Sequence, residues 1–160
     1  MKKVFVSIPL KGRSKEQIQD SLDKIKGAVE GLLENEVELL HQDVKDLPDF
    51  DKDESEDSLE FLGEDIKLMA DADYFATVEC NWDYRHCALE EDIFRRYKCV
   101  GNYEKEEENM MKFSMNIIAP DVLKKEKEEA EKLWKMEFPE EVKADKEEHD
   151  EAFAERESRD

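Results

Sequence analysis

No apolar stretch of this 160-residue chain approaches the roughly 18 residues that cross a bilayer. The run VFVSIPL, behind two lysines, is too short for a secretory h-region. A cytoplasmic protein without membrane contact is expected. Cysteine is scarce as well: Cys80, Cys87 and Cys99 are an odd number, which excludes a paired disulfide framework and fits free thiols in a reducing compartment. No C-x-x-C pair is present, so Cys80, Cys87, His86 and His41 read as unligated thiols and loop histidines rather than a zinc set. No metal and no cofactor are expected. Basic residues are few, 25 Lys and Arg against 45 Asp and Glu, a net charge of -20. That charge opposes direct binding to nucleic acid or to an anionic membrane and leaves basic proteins or cations as natural attractions. There is no internal repeat.

What is present suffices for a fold. With 39% hydrophobic residues, the chain can build one domain with a real core and a small appendage, the acid lying on surfaces and tails. Residues 2–9, KKVFVSIP, are β-branched and aromatic enough for a buried strand, and Pro9 with Gly12 marks a turn. Ser14 and Gln17 form a capping-box pattern, and Ile18, Leu22, Ile25, Val29 and Leu32 continue it as a helix with one apolar face, to about Asn35. VELLHQ reads as a second strand, and DVKDLPDFDKDESED as a polar loop. Leu59, Leu62, Ile66 and Met69 form the stripe of a second helix, followed by a third strand, DYFATV. After the loop CNWDYRH, a third helix shows Leu89, Ile93 and Tyr97 on one side, and KCVGNY reads as a fourth strand. Strands alternating with helices at these lengths predict an α/β domain, Rossmann-like and three-layered, with a parallel sheet.

From about Glu104 the character changes. Residues 104–160 read as an acidic, mostly helical or partly disordered extension to a domain spanning 1–103. Within it, Phe113 to Ile118 reads as a last strand. A charged helix bears Val122, Leu123, Ala130, Leu133, Trp134 and Met136 and is broken by Pro139. Trp134 and its apolar neighbours read as docking residues, for the domain or a neighbouring subunit.

The chemistry of such a sheet lies in the crevice at the carboxyl ends of its strands. The segments that end there, Ser7 to Lys11, His41 with Gln42, and Glu79 to Tyr84, converge. At the first, unpaired N–H groups opening a helix, with Lys11, Gly12 and Arg13, suit a phosphate. The same basic residues also read as a solvated turn. DFDKDESEDSLE places acids as an EF-hand loop does but has Glu54 where the sharp turn needs glycine, which argues against calcium.

Three blocks, VFVSIPLKGRS, DIKLMADADYFATV and WDYRHCALEEDIFRRY, resemble the nucleoside 2-deoxyribosyltransferases and the related 2'-deoxynucleoside 5'-monophosphate N-glycosidases, including short phage and bacterial members. The likeness covers roughly residues 3 to 100. It implies cleavage or transfer of an N-glycosidic bond in a nucleoside or nucleotide substrate. Glu90 would be the nucleophile beneath the anomeric carbon and Asp65 the acid that orients the sugar hydroxyls or shares the proton. Asp83 would protonate the leaving base, with Trp82 or Tyr84 stacking on that base and Gln42 contacting it. Ser7, Lys11, Gly12 and Arg13 would hold phosphate or sugar. The resemblance also implies a homo-oligomer whose neighbours help complete the site. The chain departs from the family pattern at His86, where glycine is usual, and at Phe94, where a small residue is usual. The competing expectation is a protein that keeps the nucleotide fold without turnover, or an acidic mimic of nucleic acid that occupies a basic partner.

Overall fold

The computed structural model describes residues 1–47 and 59–141. The EF-hand-like stretch, up to Ser58, and the tail beyond Glu141 lie outside the described residues. The fold is α/β around a four-stranded, wholly parallel sheet of order β2-β1-β3-β4. Its strands are β1 (Lys2–Ser7), β2 (Val37–Leu40), β3 (Tyr74–Val78) and β4 (Met110–Phe113). The helices are α1 (Lys15–Leu33), α2 (Leu59–Ala70), α3 (Arg85–Tyr97), α4 (Tyr103–Asn109), α5 (Met115–Ile118) and α6 (Pro120–Glu137). None of the described helices is long and apolar enough to cross a membrane.

Local chemistry explains the start of the chain. Val4, Phe5 and Val6 are fully or almost fully buried, as a strand covered on both faces requires. Gly12, at φ 69, takes the third place of a turn closed by the Arg13 amide on the Leu10 carbonyl at 3.2 Å, a conformation that penalises a Cβ. Ser14 then caps α1 with the expected reciprocal box: its hydroxyl accepts from the Gln17 amide, and the Gln17 side chain accepts from the Ser14 amide. Ile18, Leu22, Ile25 and Val29 are buried as their spacing predicts. Leu32 is exposed and ends the stripe.

Side-chain alternation along the strands assigns the faces. Phe5 and Phe75 point into a cluster with Met69 of α2 and Phe94 of α3, the Phe75 and Phe94 rings 5.2 Å apart. Ser7, two residues beyond Phe5, therefore faces the side that α3 covers.

The stripes expected for α2 and α3 are rotated. α2 buries Phe61, Asp65 and Met69 and leaves Leu59 and Ile66 exposed. α3 buries His86, Cys87, Glu90, Glu91 and Phe94 and exposes Leu89 and Tyr97. Polar residues turned inward at the sheet end displace the apolar ones.

Two further expectations are corrected. KCVGNY is no strand: Val100 and Gly101 have φ of 52° and 67°, which close a turn into α4. The last strand is Met110–Phe113, ahead of the expected patch, and Ser114 breaks it into α5. The boundary expected after residue 103 falls later. A first compact unit runs Met1–Val122 and a second begins at Leu123, because β4 pairs with β3 and Ile118 is fully buried. In the second unit, Trp134 packs on Phe138 with ring centroids 6.3 Å apart, and Leu133 and Met136 are exposed.

Candidate active site at the carboxyl end of the sheet

In the order 2-1-3-4, chain connections leave β1 and β3 in opposite directions, and the crevice between their carboxyl ends is where such sheets bind ligands. Ser7 closes β1 there, in register with Thr77 of β3. Because Ser7 faces α3, its hydroxyl meets the Glu90 carboxylate and donates to it. Glu90 is on the second turn of α3 and only 2% exposed. Its two acidic neighbours take other environments. Asp92 is exposed and pairs with Arg96. Glu91 is buried at the β3–β4 side among Asn81, Arg95 and Lys112.

Asp65 reaches the same crevice from α2. It is 5% exposed and accepts from the Gln42 amide at 2.9 Å, while Gln42 also donates to the Phe61 carbonyl. Ser7, Gln42, Asp65 and Glu90 line one cleft with His41, His86 and apolar residues of β1 and α1. Its volume is about 30 Å³, enough for about two water molecules and short of a furanose ring. A sugar would enter only if a wall moved. Two buried carboxyl groups on one cleft are the elements of glycosidic chemistry, one to capture or stabilise an electron-poor anomeric carbon and one to handle hydroxyls or protons.

The other expected residues do not join them. Asp83 and Trp82 are exposed on the short turn Asn81–Asp83, Tyr84 caps α3, and none of the three lines the cleft. Lys11 is exposed, and Gly12 serves the turn. Arg13 corrects the phosphate expectation most directly. Its guanidinium is buried and committed to the fold: Nε and Nη2 form a fork on Asp121 at 2.8 and 2.9 Å, Nη1 donates to the Pro9 carbonyl, and Nη2 also meets Gln17 O and Ser21 Oγ. Ser21 in turn donates to the Ile118 carbonyl. The arginine thus ties the β1–α1 turn to the start of α6.

His86 is a residue of the cleft that motif and spacing do not single out as functional. Its Nε2 lies 2.9 Å from the Ile8 carbonyl and 3.3 Å from the Cys87 sulfur. The signal that the sequence offers is the place of His86 where the pattern the chain resembles has glycine.

Glu91 holds the loop after β3 to α3. Burial raises its pKa, but hydrogen bonds from Asn81, Lys112 and Arg95 outweigh that, and the net value lies below the ordinary 4.5. A lowered carboxyl stabilises the fold above its unfolded-state pKa and loses that contribution as pH falls through the lower folded value. Glu91→Gln should therefore cost about 2 kcal/mol at neutral pH, since Asn81 keeps a poorer acceptor while Arg95 and Lys112 still reach water. It should also flatten the acid limb of stability below pH 4.5. Urea midpoints at neutral and acid pH measure both effects.

Comparison with family models, with curated proteins and with solved structures finds no match to this chain.

Proposed function

We propose that the chain is an enzyme that cleaves or transfers the N-glycosidic bond of a (deoxy)nucleoside or nucleoside 5'-monophosphate, with Glu90 as nucleophile and Asp65 as its partner acid. The observation that carries this reading is Glu90 itself. An acidic residue near a helix start is ordinarily solvated, yet this one is buried at the sheet's switch point, accepts from Ser7 and shares a cleft with Asp65. Burying a carboxylate costs free energy, and cleft positions where a protein does so are candidates for function. The finer architecture that accompanies the reading is a Rossmann-like three-layer domain with an acidic helical extension. The test is chromatography of free bases after incubation with a panel of nucleosides and 5'-monophosphates, with and without an acceptor base. Release that depends on an acceptor means transfer, and release without one means hydrolysis.

The small cleft favours a second reading, a nucleotide-fold protein without turnover that uses its acidity to hold a basic partner. That reading expects no base release and an association with basic proteins that weakens steeply as salt rises.

The resemblance also supports a homo-oligomer. The exposed residues Ile66 and Tyr97, with the half-buried Ile93, line an apolar groove of about 590 Å³ between α2 and α3. A second copy is the occupant we propose. Tyr97→Glu, at a residue 76% exposed, should then shift the mass measured by light scattering toward the monomer without lowering thermal stability.

A further inference from the structure

We propose that His86, Cys87 and Glu90 form a binding site for a thiophilic divalent cation of the zinc class, and that occupancy shuts the cleft by engaging the Glu90 carboxylate. A ring nitrogen of His86, the Cys87 sulfur and a carboxylate oxygen of Glu90 lie within 4.8 Å of one another, and all three residues are buried. The spacing i, i+1, i+4 on α3 brings them to one side of its first two turns. Mixed nitrogen, sulfur and oxygen donors select zinc-like ions over calcium or magnesium, and three protein ligands leave one position for water.

Independent observations point to a cation at this place. Glu90 and His86 line the cleft of about 30 Å³, which suits an ion with a water better than a sugar ring. Asp65 lines it too, so two carboxyl groups face the same small volume in a protein of net charge -20. His86 Nε2 is the ring nitrogen beside the Cys87 sulfur, at 3.3 Å, and an ion bound there takes the place of its contact with the Ile8 carbonyl. Ser7, which donates to Glu90, supplies the kind of outer bond that orients a ligating carboxylate. Binding replaces the Cys87 S–H bond by a metal–sulfur bond and releases that proton to solvent, so affinity rises with pH.

The ion site stands on its own geometry. Only the inhibition rests on the glycosidic reading. The first experiment titrates the full chain with cobalt(II), a spectroscopic substitute for zinc. Wild type should show a thiolate-to-cobalt charge-transfer band saturating at one ion per chain and bleached by zinc. The band should survive Cys80→Ser and vanish in Cys87→Ser. Absence of the band from wild type, or its persistence in a folded Cys87→Ser, overturns the site. X-ray absorption of the zinc-loaded wild type requires no variant: one sulfur among nitrogen and oxygen neighbours supports the assignment, and a shell without sulfur overturns it. Where wild type releases base, one equivalent of zinc should reduce the rate at least tenfold and Cys87→Ser should relieve that loss. A wild type that releases no base overturns the glycosidic reading and leaves the cobalt result to decide the ion site.

Discussion

Glu90→Gln should abolish base release, lowering the rate on the order of 10⁴-fold, while circular dichroism and the unfolding midpoint stay near those of wild type. Glutamine keeps the length of the side chain and an oxygen that can accept from Ser7, so the buried contact survives in kind. It cannot attack an anomeric carbon or balance the charge of an oxocarbenium-like sugar, so the chemistry is lost without the packing. Glu90→Ala removes both and leaves the Ser7 hydroxyl facing a void in a site that is 2% exposed, so its stability should fall as well. The contrast between the two variants separates catalysis from structure. If both retain base release, the nucleophile is another residue; if wild type is itself inactive on the whole panel, turnover falls and the binding reading takes its place. Ser7→Ala should lower the rate less than Glu90→Gln does, because the hydroxyl positions the carboxylate without reacting.

The sequence discloses what is local and periodic. The Ser14–Gln17 box and the α1 stripe depend on neighbours three and four residues apart, and both form as read. The same counting misplaces the buried faces of α2 and α3, because it turns every apolar position inward. Asp65, His86 and Glu90 take the inward places because each has a partner at the carboxyl end of the sheet, Gln42, Ile8 and Ser7 respectively, and those partners lie on other elements. Periodicity cannot see such pairings. The fourth strand is misplaced for a related reason: KCVGNY has strand-like composition, but Val100 and Gly101 are held at positive φ in the turn to α4, and pairing with β3 goes to Met110–Phe113. Ser7, Asp65 and Glu90, legible in the sequence motifs, and Gln42, legible at the end of the second strand, come together on one cleft. Lys11 and the loop residues Asp83, Trp82 and Tyr84 belong to the same motifs and do not line it.

Arg13→Ala should be strongly destabilising, costing about 3 kcal/mol, since breaking a buried pair leaves the surviving charge without compensation. The arginine side chain is 2% exposed and Asp121 25%, so the aspartate recovers part of its hydration and the cost falls at the lower end for buried pairs. The Pro9 carbonyl and the Ser21 hydroxyl lose a donor in the same step. For a chain of this size the expected fall in melting temperature is about 10 °C. Arg13→Lys should recover little, because an ammonium cannot reproduce the two-point fork on Asp121 while reaching Pro9 and Ser21. A double-mutant cycle with Asp121→Asn should return a coupling of about 2 kcal/mol, although the two residues are 108 positions apart in sequence. A phosphate-binding arginine would behave in the opposite way, with an unchanged melting temperature in the free protein and weakened protection by added nucleoside monophosphate. Thermal scans of wild type and Arg13→Ala, each with and without the monophosphate, distinguish the two. The residues of the turn after β1 then have separate roles. Gly12 permits the turn, Arg13 anchors it to the start of α6, and Lys11 stays exposed on it.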